Sequence, residues 1–158
     1  MPIQCTKSNT EESHEPTSVL PSQQGFKLAS LNINKLITHI DQLRILLAHD
    51  EIDILSINET KLNETISDNE VSISGYDIIR RDRITNCGGG VCFYVKSSIN
   101  FTIFPCLEIQ KPRSKPFVVA TWYRPPDSPI GIFSPFETLL GKLDSENIEY
   151  ILQINEYH

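Results

Sequence analysis

The run IDILSI at residues 52–57 decides the fold class of this chain. A short, nearly all-apolar run of this kind is typical of a strand that is buried on both faces of a sheet. Upstream, residues 26–32 alternate apolar with small or polar side chains, which predicts another strand. Between the two, residues 35–49 carry apolar side chains at helical spacing, and Asn34 is a candidate N-cap. Strand, helix and strand in this order predict a crossover unit.

The remaining sequence continues the alternation of strands and helices. A helix is predicted from Ser134 to about Asp144, because Ser134, Pro135 and Glu137 form a capping box. An α/β sandwich with a mixed sheet follows from the whole pattern, although some schemes would class it as α+β. Further short strands are predicted at residues 76–80, 90–96, 99–104, 117–123 and 148–152.

Three segments of the chain differ in pattern. Residues 1–25 are rich in Ser, Thr, Glu, Gln and Pro without periodicity, which predicts a disordered polar tail. Residues 26–152 hold the predicted domain, and residues 153–158 fit no helix, strand or turn pattern. We therefore expect ordered structure to begin near Phe26.

Composition limits the classes of function. The formal net charge is -6, so contact with nucleic acid would need a local basic patch. The first 14 residues contain no apolar segment of a secretory signal, and no apolar run is long enough to cross a bilayer. We expect an intracellular protein, cytoplasmic or nuclear, without membrane contact. The cysteines match no zinc pattern and are expected as thiols: Cys5, Cys87, Cys92 and Cys106.

Polar side chains follow three of the predicted inner strands. Asn32 ends the first, Glu59 follows the second, and Tyr123 ends the strand at residues 117–123. If these strands are parallel neighbours, the three residues converge at one edge of a sheet, where α/β proteins bind ligands. One carboxylate beside an amide could seat Mg²⁺. Taken singly, Glu59 reads as a solvated carboxylate, Asn32 as a turn residue and Tyr123 as a core aromatic.

Several arginines offer contacts for phosphate. Arg80, Arg81 and Arg83 lie close together in sequence, and Arg124 follows the candidate Tyr123. Together they could form a nucleic-acid-binding patch. A solvated strand edge explains the same residues about as well.

A set of short motifs resembles one known family. The order and spacing are similar to those of the apurinic-type endonuclease domain of non-LTR retrotransposons (jockey or LINE type), within the endonuclease/exonuclease/phosphatase family. The resemblance runs from residue 26 to residue 152. It rests on SLNINKL at 30–36, IDILSINETKL at 52–62, SGY at 74–76, RRDR at 80–83, GGGV at 88–91 and WYRPP at 122–126.

This resemblance implies a Mg²⁺-dependent phosphodiesterase that nicks DNA. Glu59 would bind the metal, and Asn32 would sit beside it and help to orient metal or phosphate. Tyr123 would donate a hydrogen bond to the scissile phosphate. The implied fold is the N-terminal part of a two-sheet α/β sandwich with helices outside.

The sequence also departs from the family pattern. Where the family has a G-D-x-N motif, this chain reads Gln153-Ile154-Asn155, and the later S-D-H motif does not occur in the 158 residues. We therefore expect a truncated domain that is catalytically inactive and binds Mg²⁺ weakly. The inner face of its sheet should lack cover and favour self-association. The alternative is a non-catalytic module, derived from the same domain, that binds DNA or protein.

Overall fold

The computed structural model describes residues 25–82, 89–103, 107–110, 117–124, 131 and 133–156, which form two four-stranded sheets packed face to face. The predicted disordered tail lies almost wholly outside the described residues. The strands are β1 (Leu28–Asn32), β2 (Ile54–Asn58), β3 (Tyr76–Arg81), β4 (Val91–Lys96), β5 (Asn100–Ile103), β6 (Leu107–Gln110), β7 (Phe117–Arg124) and β8 (Glu149–Glu156).

The first sheet has the order β1-β2-β4-β3, and β1 and β2 are parallel. Their connection is a 3-10 helix, Leu36–Thr38, followed by helix α1, Ile40–Leu47. This confirms the crossover unit predicted from the IDILSI run. All five residues of β2 are buried, as expected for a strand covered on both faces.

The outer face of the first sheet is covered by the crossover helix. Leu43 and Leu47 of α1 pack in one apolar cluster with Leu55 and Ile57 of β2. Tyr94 of β4 belongs to the same cluster, and its hydroxyl donates to the carbonyl of Val71 at 2.7 Å. Burial raises the pKa of the Tyr94 hydroxyl well above its ordinary value.

The second sheet has the order β5-β6-β7-β8, with β7 and β8 parallel over eight residues. Helix α2, Phe133–Ser145, connects these two strands and buries Phe136 and Leu143. Within the described residues, each sheet has two edge strands with no further strand paired to them. These are β5 and β8 in the second sheet, and β1 and β3 in the first.

The two sheets share a core. Ile54, Phe93 and Val95 of the first sheet pack against Phe117 and Val119 of β7. The second sheet therefore covers the inner face of the first sheet. The expectation that this face is uncovered is wrong, so it gives no reason for self-association. The chain contains enough of the second sheet to close this layer.

Local boundaries differ from the sequence prediction in three places. Asn34 caps no helix; its side-chain oxygen instead accepts a hydrogen bond from Lys61 Nζ. Ser134, the predicted cap of the second helix, lies inside α2, which begins one residue earlier. The segment from residue 153, expected to be patternless, continues β8 to Glu156 because pairing with β7 satisfies its backbone. Within the described residues, no helix has the length and apolar character needed to span a bilayer.

Candidate functional site

The carboxyl ends of β1 and β2 form one edge of the first sheet. The two strands are parallel, and the register pairs Asn32 with Asn58. Adjacent strands lie about 4.8 Å apart, so Asn32 and the residue after Asn58, which is Glu59, are near neighbours at this edge. The predicted convergence of Asn32 and Glu59 therefore holds in the backbone register.

The turn after β2 is held by backbone hydrogen bonds from two sides. From the β1 side, Lys35 N–H donates to the Glu59 carbonyl and Leu36 N–H donates to the Thr60 carbonyl, both at 2.8 Å. From the β4 side, Thr60 N–H donates to Gly90 O at 3.2 Å and Lys61 N–H to Gly89 O at 2.7 Å. Four bonds thus fix three consecutive residues.

This turn stores backbone strain. Glu59 has a φ of 56° and Lys61 a φ of 50°, both in the left-handed region that side chains other than glycine rarely adopt. Such conformations persist where the surroundings over-determine them, and they cluster at functional sites. The hydrogen bonds on both sides supply that constraint here.

Gly90 allows the close approach of β4 to this turn. Its φ is +86°, and a Cβ at this position would lie 2.5 Å from the Thr60 hydroxyl oxygen. Thr60 is fully buried, so its side chain is surrounded by other protein atoms. The GGGV motif therefore has a structural reason at Gly90 that is separate from any phosphate-binding role.

The Glu59 side chain is buried, with 7% of its surface exposed. Its Oε2 accepts a hydrogen bond from the backbone N–H of Gly89 at 2.8 Å. Within the ranges the structure describes, no salt bridge involves Glu59 and no group of three acidic, histidine or cysteine side chains could hold a metal ion. One fixed carboxylate, with the Asn32 backbone on the neighbouring strand, fits Mg²⁺, which commonly uses one or two carboxylates together with water and phosphate oxygens.

Tyr123 belongs to the second sheet, so the prediction that it shares one sheet edge with Asn32 and Glu59 is wrong. Its strand nevertheless runs in the direction of β2. The Phe117 ring at the start of β7 contacts the Phe26 ring, with centroids 5.2 Å apart, and Thr121 contacts Asn58 at the end of β2. The backbone of Tyr123 therefore lies at the same end of the sandwich. Its side chain lies outside the described part.

Arg80 is occupied by contacts within the protein. It bonds Asp82 through both Nε and Nη2, and its remaining donors reach Asp68 Oδ1 at 3.0 Å and the carbonyls of Ile66 and Asn63 at 2.8 Å each. The hydrogen bond to Asp82 is the largest influence that raises the pKa of Arg80. Because its guanidinium holds the loop at residues 63–68, it has little capacity left for phosphate.

The other expected phosphate ligands fall in different places. Arg81 ends β3 with an exposed side chain, and its carbonyl lies 3.6 Å from the Cβ position of Gly90, beside the Glu59 turn. Arg124 ends β7, but its side chain lies outside the described part, as does the whole of Arg83. Arg81 is thus the arginine that the described contacts bring to the candidate edge.

Sequence reasoning missed Asn58 and Thr121. Asn58 is fully buried at the end of β2, and its Oδ1 accepts a hydrogen bond of 3.3 Å from the Thr121 hydroxyl across the two sheets. An amide at the end of an otherwise apolar strand, immediately before an acid, was the available signal. The pairing with Thr121 had none, because 63 residues separate the two positions.

Comparisons with known proteins identify the fold. No protein-family model and no curated protein sequence matches the chain. The 3′-5′ exonuclease NExo from Neisseria meningitidis matches with a TM-score of 0.56 and 19% identity, over 83% of this chain and 57% of that chain. The 3′ phosphatase NExo from Neisseria, bound to product DNA hairpin, gives 0.54 and 19% over the same shares.

A further similar structure is the AP endonuclease LMAP from Leishmania major, with a TM-score of 0.48, 18% identity, and coverage of 60% of this chain and 38% of that chain. The chain thus spans between about two fifths and three fifths of the length of these structures. The two NExo comparisons establish a two-sheet α/β sandwich of the endonuclease/exonuclease/phosphatase type.

Proposed function

We propose that the chain is a nuclease-type domain of the kind carried by non-LTR retrotransposons, and that it binds Mg²⁺ and DNA at the edge formed by Asn32 and Glu59. The single observation that carries the proposal is Glu59, a buried carboxylate in a strained turn, bonded to Gly89 N–H rather than to a cation. A carboxylate held in this way, without a protein counter-charge in the described residues, suits a hard metal ion.

Each residue at the edge has a distinct proposed role. Glu59 is the metal ligand, and the bound Mg²⁺ would withdraw charge from a phosphate oxygen. Asn32 would orient metal or phosphate with its amide, and Tyr123 would donate a hydrogen bond to the phosphate. Arg81, exposed beside the turn, is the arginine we assign to the DNA backbone. DNA as partner also implies a nuclear or cytoplasmic location.

We further propose that these 158 residues alone do not hydrolyse DNA. Hydrolysis needs a positioned and activated water in addition to metal and phosphate contacts. In the family, the strand after α2 delivers G-D-x-N, whereas β8 here carries Gln153, Ile154 and Asn155 in those places. The loss of one member of a cooperating catalytic set commonly costs orders of magnitude in rate.

A non-catalytic DNA-binding module is the alternative that one observation favours. Asn155 pairs with Tyr123 in the register of β7 and β8, so an uncharged amide residue stands at this end of the sandwich, within the stretch that replaces the family's G-D-x-N motif. Neutral amides there would lower the repulsion between protein and phosphate while contributing no general base.

The test combines DNA binding with plasmid nicking. DNA affinity is measured by fluorescence anisotropy with and without Mg²⁺, for the unmodified chain, for Glu59→Gln, and for Glu64→Gln as a matched control at an exposed glutamate. We expect Mg²⁺ to strengthen binding in the unmodified chain and in Glu64→Gln, but not in Glu59→Gln. An equal Mg²⁺ effect in all three would overturn the metal assignment.

Nicking of supercoiled plasmid addresses catalysis separately. We expect no Mg²⁺-dependent nicking by any of the three proteins. Nicking that is present in the unmodified chain and absent from Glu59→Gln would contradict the inactive assignment.

A further inference from the structure

The layer between the two sheets changes from apolar to polar along the strands. Side chains of a strand alternate between its two faces, so Ile54, Ser56 and Asn58 of β2 all face the second sheet. Ile54 belongs to the apolar core shared with Phe117 and Val119. Asn58 meets Thr121, the next inward residue of β7. The polar end is the end that carries Glu59.

Two atoms in this polar end stand out. Ser56 Oγ and Asn58 Nδ2 are buried, in residues that are 1% and 0% exposed, and neither atom has a hydrogen-bond partner within the part of the chain that the structure describes. Buried polar groups in native proteins are nearly always hydrogen bonded, and an ordered water often supplies the missing partner. The two side chains lie on the same face of β2, the one turned to the second sheet.

The spacing of these atoms suits one small ligand. Residues two apart on a strand are separated by about 6.6 Å at Cα, and a water that bonds two groups bridges most of that span. The opposite wall is polar as well, since Gln153 of β8 donates to Ser30 of β1 at the same level. A water needs two to four polar partners, and this space offers them.

We propose that an ordered water occupies this inter-sheet space, bonded to Ser56 Oγ and Asn58 Nδ2, and that it positions the turn that carries Glu59. Thr121 holds the Asn58 carboxamide by its oxygen, and the water holds it by its nitrogen. The Asn58 carbonyl is fixed by Ile33 N–H at 3.1 Å. Asn58 is then a positioning residue for Glu59, because every polar group of its side chain is fixed. Only this last step rests on the proposed function.

A double-mutant cycle on stability tests the water. The thermal midpoint is measured for Ser56→Ala, for Asn58→Ala and for the double variant, with Ser145→Ala on α2 as an unrelated control. A shared water predicts that Ser56→Ala lowers the midpoint in the unmodified chain and has much less effect in the Asn58→Ala background. An unpartnered hydroxyl predicts a raised or unchanged midpoint for Ser56→Ala and additive effects. That second result would overturn the proposal.

A second readout follows the position of Glu59. Mg²⁺ affinity is measured by calorimetry for Ser56→Ala and for Ser56→Thr, which keeps the hydroxyl. We expect several-fold weaker binding in Ser56→Ala and recovery in Ser56→Thr. Equal affinity in the unmodified chain and Ser56→Ala would overturn the positioning role. If neither the unmodified chain nor the Ser56 variants bind Mg²⁺, the proposed function fails. The stability cycle still tests whether a water bridges Ser56 and Asn58.

Discussion

Strand β2 has a carboxylate at each end, and the two are held in opposite ways. Asp53, just before the strand, accepts Lys27 N–H at 2.7 Å and forms an ion pair with Lys96 at 3.2 Å. Glu59, just after it, accepts one backbone N–H and forms no salt bridge within the described residues. The acid with a cation has the role of a tether between strands. The acid without one is the residue that we propose as the Mg²⁺ ligand.

The backbone around the two acids differs in the same sense. At the Asp53 end, Lys96 N–H donates to Asp53 O at 3.0 Å, and the left-handed residue nearest in sequence, Asp50 with a φ of 54°, lies three positions before the acid. At the Glu59 end, Glu59 and Lys61 have left-handed backbones, and Gly90 lies so close to Thr60 that a Cβ on Gly90 would be 2.5 Å from the Thr60 hydroxyl oxygen. Strain of this kind is retained where a site requires it. Geometry therefore separates a structural carboxylate from a candidate functional one.

The largest expected effect comes from damaging the Glu59 end at Gly90. Gly90→Ala adds a Cβ at 2.5 Å from Thr60 Oγ1 and forces alanine into a left-handed backbone, so we expect a loss of about 3 kcal/mol in unfolding free energy. Gly75→Ala is the control, because its φ is +81° but its Cβ would meet nothing within 4 Å. It should cost only the backbone term, about 1 kcal/mol. Equal urea midpoints for the two variants would refute the packing argument.

Exchanging the two acids for amides separates their roles. Asp53→Asn removes the charge that pairs with the half-buried Lys96, and we expect it to lower the unfolding free energy by about 2 kcal/mol. Glu59→Gln keeps an oxygen for Gly89 N–H and should change stability by less than about 0.5 kcal/mol, while abolishing Mg²⁺ binding. Chemical denaturation of both variants measures this. A larger stability loss from Glu59→Gln than from Asp53→Asn would reverse the comparison.

Alkaline pH should weaken the Asp53 end and the adjoining core. Burial opposes the charged form of Lys96, but hydrogen bonds and charges of Asp53 and Asp50 outweigh it, and the pKa of Lys96 is raised overall. For Tyr76 and Cys92, whose charged forms are anions, burial acts in the opposite direction. It raises the pKa of the Tyr76 hydroxyl, which donates to Ile52 O, and it raises the pKa of the Cys92 thiol from 9.0 to about 12.

A raised folded-state pKa means that the folded protein holds its proton more tightly than the unfolded chain. Stability is therefore full below the unfolded pKa values, 9.0 for Cys92, and falls as pH rises toward the folded values. We expect each such group to cost roughly 1 kcal/mol per pH unit in that window. Urea midpoints from pH 8 to pH 11 measure the fall, and Cys92→Ala should make it shallower. A flat profile would contradict the burial of these groups.

The sequence predicted those parts of the fold that depend on local pattern. The apolar run of β2 and the helical spacing of α1 correctly indicated parallel strands with a crossover, and the Glu59 edge followed from where β2 ends. The assignment of Tyr123 to that same sheet was wrong, because nothing local tells which of two sheets a strand joins. Likewise β8 passes Leu152 because of its partner β7, not because of its own residues.

The partners of individual side chains were less accessible. Arg80 looked like a phosphate ligand in the RRDR stretch, but long-range contacts with Asp68 and with carbonyls of the loop at residues 63–66 engage it. Asn34 looked like a helix cap and instead meets Lys61. Polar side chains choose among many partners of similar energy, and the tertiary fold decides which is in reach.

The most direct test of the account is where Mg²⁺ binds relative to the two ends of β2. Amide chemical shifts of the ¹⁵N-labelled chain are followed during a Mg²⁺ titration, with DNA absent and then present. The account predicts shifts at Gly89, at the Asn32 backbone and side chain, and at Thr60, with no change at Lys27 and Lys96 around Asp53. Shifts at the Asp53 end, or shifts spread over exposed acids with none at Gly89, would contradict the assignment of Glu59 as the metal ligand.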